Sequence, residues 1–226
     1  MRPAARYCCA LFVAALFLPA ARAVERKAAG VVSQTNLGRI DSAVAVAGAN
    51  VYNCDDLGTS DGGSMRVQVR SGQVYLASAS EAQIQDGLNG VDVYIDLGTV
   101  GFSSMEGGVI ELITPAGRVR PLNGQEASGQ VTIPNPKEMV ITAIRGDLVL
   151  DNGGQTRTIP QGQSAKVTFD ELSEPACRED AGENQQPKNA LQGRKIGFFL
   201  IPAGAAAIPA IILWKKLTES PSDPSN

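Results

Sequence analysis

Cys54, Cys177 and a small number of paired aspartates and arginines are the residues of this chain whose types and spacing could do chemistry. The chain contains no histidine, which removes the commonest general base and the commonest transition-metal ligand together. Two further cysteines, Cys8 and Cys9, lie inside an N-terminal apolar run and leave with it if that run is cleaved. Cys54 and Cys177 are then the remaining pair, and in an oxidising compartment a disulfide between them closes a loop of about 120 residues, stabilising by on the order of 4–5 kcal/mol. Two unpaired thiols, or a bond between two chains, are the alternatives. Neither cysteine has a base to activate it.

Asp55, Asp56 and Asp61 form an oxygen-rich stretch of the kind calcium prefers. Their spacing matches no calcium loop, and Asx-turns beside Gly58 and Gly62 account for the same residues. Asp92 and Asp96 invite an acid–base reading, but on one strand they stand about 13 Å apart, beyond the separation that glycoside hydrolysis uses. They read as a solvated strand face. Ser71, Ser103, Ser104 and Ser128 lack a partner base. Arg66 and Arg70, with Arg118 and Arg120, are the candidate patch for an anionic ligand. No phosphate loop, zinc pattern or dinucleotide fingerprint is present, so no catalytic residue, metal or cofactor is expected.

The elements that must position these residues are short strands. Six times a glycine precedes an apolar residue by two positions: Gly72-Gln-Val74, Gly98-Thr-Val100, Gly108-Val-Ile110, Gly117-Arg-Val119, Gly129-Gln-Val131 and Gly146-Asp-Leu148. Each reads as a turn followed by a strand of period two. Met65, Val67 and Val69 alternate with polar residues, turn at Ser71-Gly72 and return as Val74 and Leu76. Val91 to Leu97 alternates likewise, and hairpins at Arg145-Gly146-Asp147 and at residues 151–154 follow. Residues 53–63 read as a turn-rich loop. The expected fold class is all-β, a sandwich or β-roll of short hairpin strands.

The two ends differ from this domain. Residues 1–23 have a basic start, a short apolar run and a small-residue site at Ala21-Arg22-Ala23, the pattern of a secretory signal peptide. Residues 24–169 are the exported β domain, and residues 170–195 an acidic polar linker. Residues 196–214 carry no charge and would make a helix about 28 Å long, close to a bilayer core, so a C-terminal transmembrane helix is expected. Residues 215–226 are then a short cytoplasmic tail. The net charge is −3, and the only charges of the first 23 residues are arginines, so the remainder is more acidic still. Nucleic acid is therefore not an expected partner.

The runs Val46-Ala-Gly48, Leu57-Gly-Thr59, residues 63–69, residues 71–76 with Ser80, residues 93–100, Thr114-Pro-Ala-Gly117, residues 140–150 and Pro160-Gln-Gly162-Gln163 together resemble the FecR-type domain of bacterial envelope proteins. The resemblance covers about 125 residues and its motifs are turns, not catalytic groups. It departs at Cys54, where such domains usually have glycine. It departs also in order, because the iron-dicitrate regulators of the family place a cytoplasmic sigma-binding segment and a membrane helix before the periplasmic domain. A tail as short as residues 215–226 cannot hold that segment, so the resemblance implies the β domain without that activity.

The combined expectation is a non-enzymatic protein of the cell envelope. It is held in the cytoplasmic membrane by residues 196–214, with its β domain on the periplasmic or extracellular side. Its work is to bind an envelope protein or polysaccharide, with a signalling role through that partner. The alternative is a structural component that self-associates as a homo-oligomer.

Overall fold

Alternating burial governs much of the architecture: about half of the strands send every second side chain into one core over at least part of their length. The computed structural model describes residues 27–87, 89–169, 177 and 197–201. Residues 1–26, the linker apart from Cys177, and residues 202–226 lie outside that set, and with them the signal peptide and the tail. Among the described residues there are fifteen strands in a single hydrogen-bonded sheet, one 3-10 turn at Leu122–Gly124, and no α-helix. The all-β expectation holds, and the sheet is rolled around its core in the manner of a barrel.

The strands are β1 (Ala28–Ile40), β2 (Ala43–Val44), β3 (Asn50–Tyr52), β4 (Asp56–Val69), β5 (Gly72–Leu76), β6 (Glu81–Asp86) and β7 (Val91–Ser104). They continue as β8 (Ile110–Thr114), β9 (Gly117–Pro121), β10 (Ala127–Asn135), β11 (Glu138–Arg145), β12 (Leu148–Asp151), β13 (Thr156–Ile159), β14 (Ser164–Thr168) and β15 (Gly197–Ile201). Three of them, β1, β4 and β7, are long enough to run through two halves of the roll. The first half of β7 pairs with β6 and β8, and its second half with β5 and β10. β4 divides its partners in the same way, between β6 and β5. The core is continuous across both halves, from Leu57, Ile84, Ile95 and Leu112 to Val74, Phe102, Val131 and Ile141.

The bend is held by a buried polar knot. Thr59 Oγ1 donates to the carbonyl of Ala77 and accepts the Ser80 amide at 3.0 Å. Ser80 Oγ in turn accepts the Thr99 amide at 2.9 Å, so β4 and β7 are tied through one hydroxyl pair. Gly98, with φ +85° and the Ala79 carbonyl against its Cα, supplies the change of direction in β7 that a side chain would block.

Four expectations are corrected. Gly98 and Gly129 do not open strands but lie inside β7 and β10. A Cβ on Gly129 would meet Leu148 Cδ1 at 2.5 Å, so that glycine makes room for core packing. Residues 56–63 lie within β4 instead of a loop: pairing of residues 56–59 with β1 and β6 overrides their turn-forming composition, and residues 60–63 bridge to the next paired stretch at Ser64. The glycine of Gly38-Arg39 marks a break between strands in the sequence, yet β1 runs on through it by means of bulges between Val32 and Gln34 and between Asn36 and Gly38. The fourth concerns the expected transmembrane helix of residues 196–214. Its opening part is extended, with Gly197 opposite Thr168 and Ile201 opposite Ser164, and β15 adds an antiparallel strand to β14. A short apolar run satisfies an edge strand as well as a helix, and residues 197–201 take the strand; residues 202–214 of the expected helix lie outside the described residues. Among the described residues no helix is long and apolar enough to cross a membrane.

Candidate functional site

Cys54 and Cys177 form a disulfide across a sequence separation of 123, with their Cα atoms 5.5 Å apart. Cys54 has φ +63°, in the left-handed region that glycine adopts without cost. The backbone amide of Cys177 also donates to Gln83 Oε1 at 3.1 Å, while Gln83 Nε2 donates to Asp56 Oδ1 at 2.6 Å. The bridge therefore delivers residue 177 to the outer face of β6.

From that point a row of half-buried side chains, polar except for Ile113, crosses the outer face of the first half of the roll. Gln83 on β6 stands opposite Tyr94 on β7, Tyr94 opposite Ile113 on β8, and Ile113 opposite Arg118 on β9. In the adjoining row Gln85, Asp92 and Glu111 stand side by side. The Tyr94 hydroxyl donates to Gln85 Oε1 at 3.1 Å, and Arg118 Nη1 pairs with Glu111 Oε2 at 3.0 Å. Burial, reinforced by the Glu111 carboxylate and partly offset by the Arg118 guanidinium, pushes Asp92 up to about 6. Burial followed by the charge of Asp92 raises the Tyr94 phenol as well. Asp92 is thus half-buried beside a second carboxylate, not solvated, whereas Asp96 further along the strand is exposed. The sequence reads Asp92 as part of a solvated strand face and does not single out Glu111. Its alternation on β8 was readable, but nothing in the local sequence pairs β8 with β7 in parallel.

Of the four arginines, Arg66 is on β4, Arg70 is in the turn that follows it, and Arg118 and Arg120 are on β9, a strand that shares no ladder with β4. Arg70 pairs with Asp86 and donates to the carbonyls of Gly87 and Gly90, bracing the turn after β6. Lys27 also reaches Asp86, at 2.8 Å. Beside Arg70 is a shallow cleft of about 320 Å³, bordered by Ser71, Asn89, Met105 and Glu106. Of the aspartates, Asp55 is buried and accepts the Tyr52 amide at 2.8 Å, a bond that runs back three residues and not forward as in an Asx-turn, whereas Asp61 is exposed in the unpaired middle of β4. Ser104 Oγ bonds both the amide and the carbonyl of Ala127, closing the β7–β10 ladder. Among the described residues no group of three or more potential metal ligands comes together.

One surface is apolar. Val44 is 82% exposed, Val46 61% and Leu37 59%. Val44 lies on the two-residue edge strand β2, opposite Arg39, with Val46 just beyond it and Leu37 on β1, and the Ala45 amide donates to the Gly38 carbonyl.

Fold and site define an all-β module fastened by one disulfide, with a polar outer face and an apolar strand edge. No protein-family model matches the chain, and no curated protein matches it. Among solved structures, two crystal structures of a protein proposed to be an anti-sigma factor from Parabacteroides distasonis are similar. One is 13% identical, covers 66% of this chain and 60% of the other, and superposes with a TM-score of 0.44. The second is 14% identical, covers 71% and 64%, and gives 0.46. The chain spans about three fifths of the length of the structures it matches. Values this low assign neither a family nor an activity.

Proposed function

We propose that this protein is a non-catalytic interaction module of the cell envelope, exported from the cytoplasm, which binds a protein partner by adding that partner's strand to the β2 edge. The observation that carries the reading is the exposure of Val44 on β2 and of Val46 just beyond it, on an edge where, among the described residues, β2 pairs with β1 alone and holds no lysine or proline. Backbone groups along such an edge supply affinity, and the alternating valines supply selection. The disulfide supports the compartment, because such bonds persist outside the reducing cytoplasm. A signalling role would then act through the bound partner. The FecR-type turns, including the Thr59 and Ser80 knot, fit the same reading. A second reading, self-association of two copies through β2, is favoured by the same valines, since an apolar edge is self-complementary.

A photo-crosslinking residue at Val44, introduced into the full chain in its native host, tests both. Adducts to a different envelope protein that vanish in Val46→Lys support the module. Adducts containing this chain alone support self-association. No adduct at all removes the edge from both.

A further inference from the structure

β8, β9, β12 and β13 form a wing of the roll. Among the described residues, its one hydrogen-bonded ladder to the remaining strands is the pairing of β8 with β7, from Val91 opposite Ile110 to Tyr94 opposite Ile113. That ladder is parallel while the other strand pairs are antiparallel, and parallel pairing is the weaker per residue. Within it Asp92 stands directly opposite Glu111, so two carboxyl groups share the strip that joins wing to body. The neighbouring cation is already engaged, as Arg118 pairs with Glu111 at 3.0 Å.

We propose that Asp92 and Glu111 form a pH-sensitive latch: a proton taken up by Asp92 in mildly acidic surroundings fastens the wing to β7, and its loss loosens it.

Of the charges that act on Asp92, the one cation, Arg118, is paired with Glu111. β6 presents the neutral Gln85, whose Oε1 accepts from Tyr94. β8 presents Glu111, and β9 presents Arg118, with Arg120 beyond it. On β7 itself the adjacent outward residues are Tyr94 and, further on, the exposed Asp96. Asp86, at the end of β6, is taken by Lys27 and Arg70. With Asp92 raised from 3.8 to about 6 by burial and then by Glu111, the closed wing binds the proton more tightly than an opened one. The closed form is therefore disfavoured above about pH 6, and the penalty fades as the pH falls through 6 towards the ordinary carboxyl value. Between pH 7.5 and 5 this amounts to a change in the opening equilibrium of up to about tenfold.

The test is native-state amide exchange on the full chain between pH 5 and 8, corrected for intrinsic rates. Amides of β8 and β9 are compared with those of β10 and β11. The expected result is protection of the wing that rises several-fold on acidification while β10 and β11 stay level. Asp92→Asn should protect the wing equally at every pH, and Glu111→Gln should move the midpoint of the response downwards. A wing without pH response in the parent chain, or one that responds identically in Asp92→Asn, overturns the latch.

Discussion

The guanidinium of Arg157 on β13 lies 5.0 Å from the centroid of the Phe198 ring on β15. These strands are the two ends of the path that runs from β13 through β7 to β15. The roll therefore closes at this seam by a cation on an aromatic ring. Because Phe198 also packs on the core, the contact joins surface and interior. Arg157→Ala should lower stability by about 0.5–1 kcal/mol, read as a shift in the urea midpoint at unchanged slope. Phe198→Ala should cost more, since it removes core area as well.

The disulfide separates covalent from conformational effects. Replacing both cysteines by serine should cost on the order of 4–5 kcal/mol, measured by denaturant unfolding against the oxidised parent. Pairing Cys54→Gly with Cys177→Ser should be milder by roughly 1 kcal/mol, because the left-handed backbone at position 54 suits glycine. Equal loss in the two double variants would show that the backbone conformation there carries no cost.

Thr59 serves as both donor and acceptor inside the bend. Thr59→Val keeps the shape but leaves the Ser80 amide and the Ala77 carbonyl unpaired, for a loss of roughly 1–3 kcal/mol. Thr59→Ser keeps the hydroxyl and should retain most of the stability in the same unfolding assay.

Two glycines form a contrast. Gly117 has φ +138° with the Asp151 carbonyl where a Cβ would go, whereas Gly154 has nothing within 4 Å. Gly117→Ala should cost more than about 1 kcal/mol, and Gly154→Ala should be neutral or slightly stabilising. Thermal melts of the two variants check this directly.

Much of the local structure could be read from alternation. Met65, Val67, Val69, Val74 and Leu76 are all buried, with Val67 opposite Val74 in the ladder expected from the turn at Ser71-Gly72. The cysteine pairing was readable too, because two cysteines remain once the apolar start is set aside. Long-range pairing was not. No local signal places Glu111 beside Asp92, since a parallel neighbour is chosen by the path of the intervening chain. Nor does the run Gly197-Phe-Phe-Leu-Ile reveal whether it joins a helix or an edge, because an apolar stretch serves either and its partner on β14 lies far back in sequence. Gly129 misled for a related reason: its lack of a side chain answers to Leu148 and Phe102 across the core, not to a turn.

The Cys54–Cys177 bond makes a covalent ring of everything between those residues, from β4 through β14. A protease that cuts one peptide bond anywhere on that ring opens it without dividing the molecule. Such a nicked chain would run as a single species without reductant and as two fragments with it. Cleavage in an exposed turn, such as the one around Gly107 or Gly153, therefore need not release any strand from the sheet.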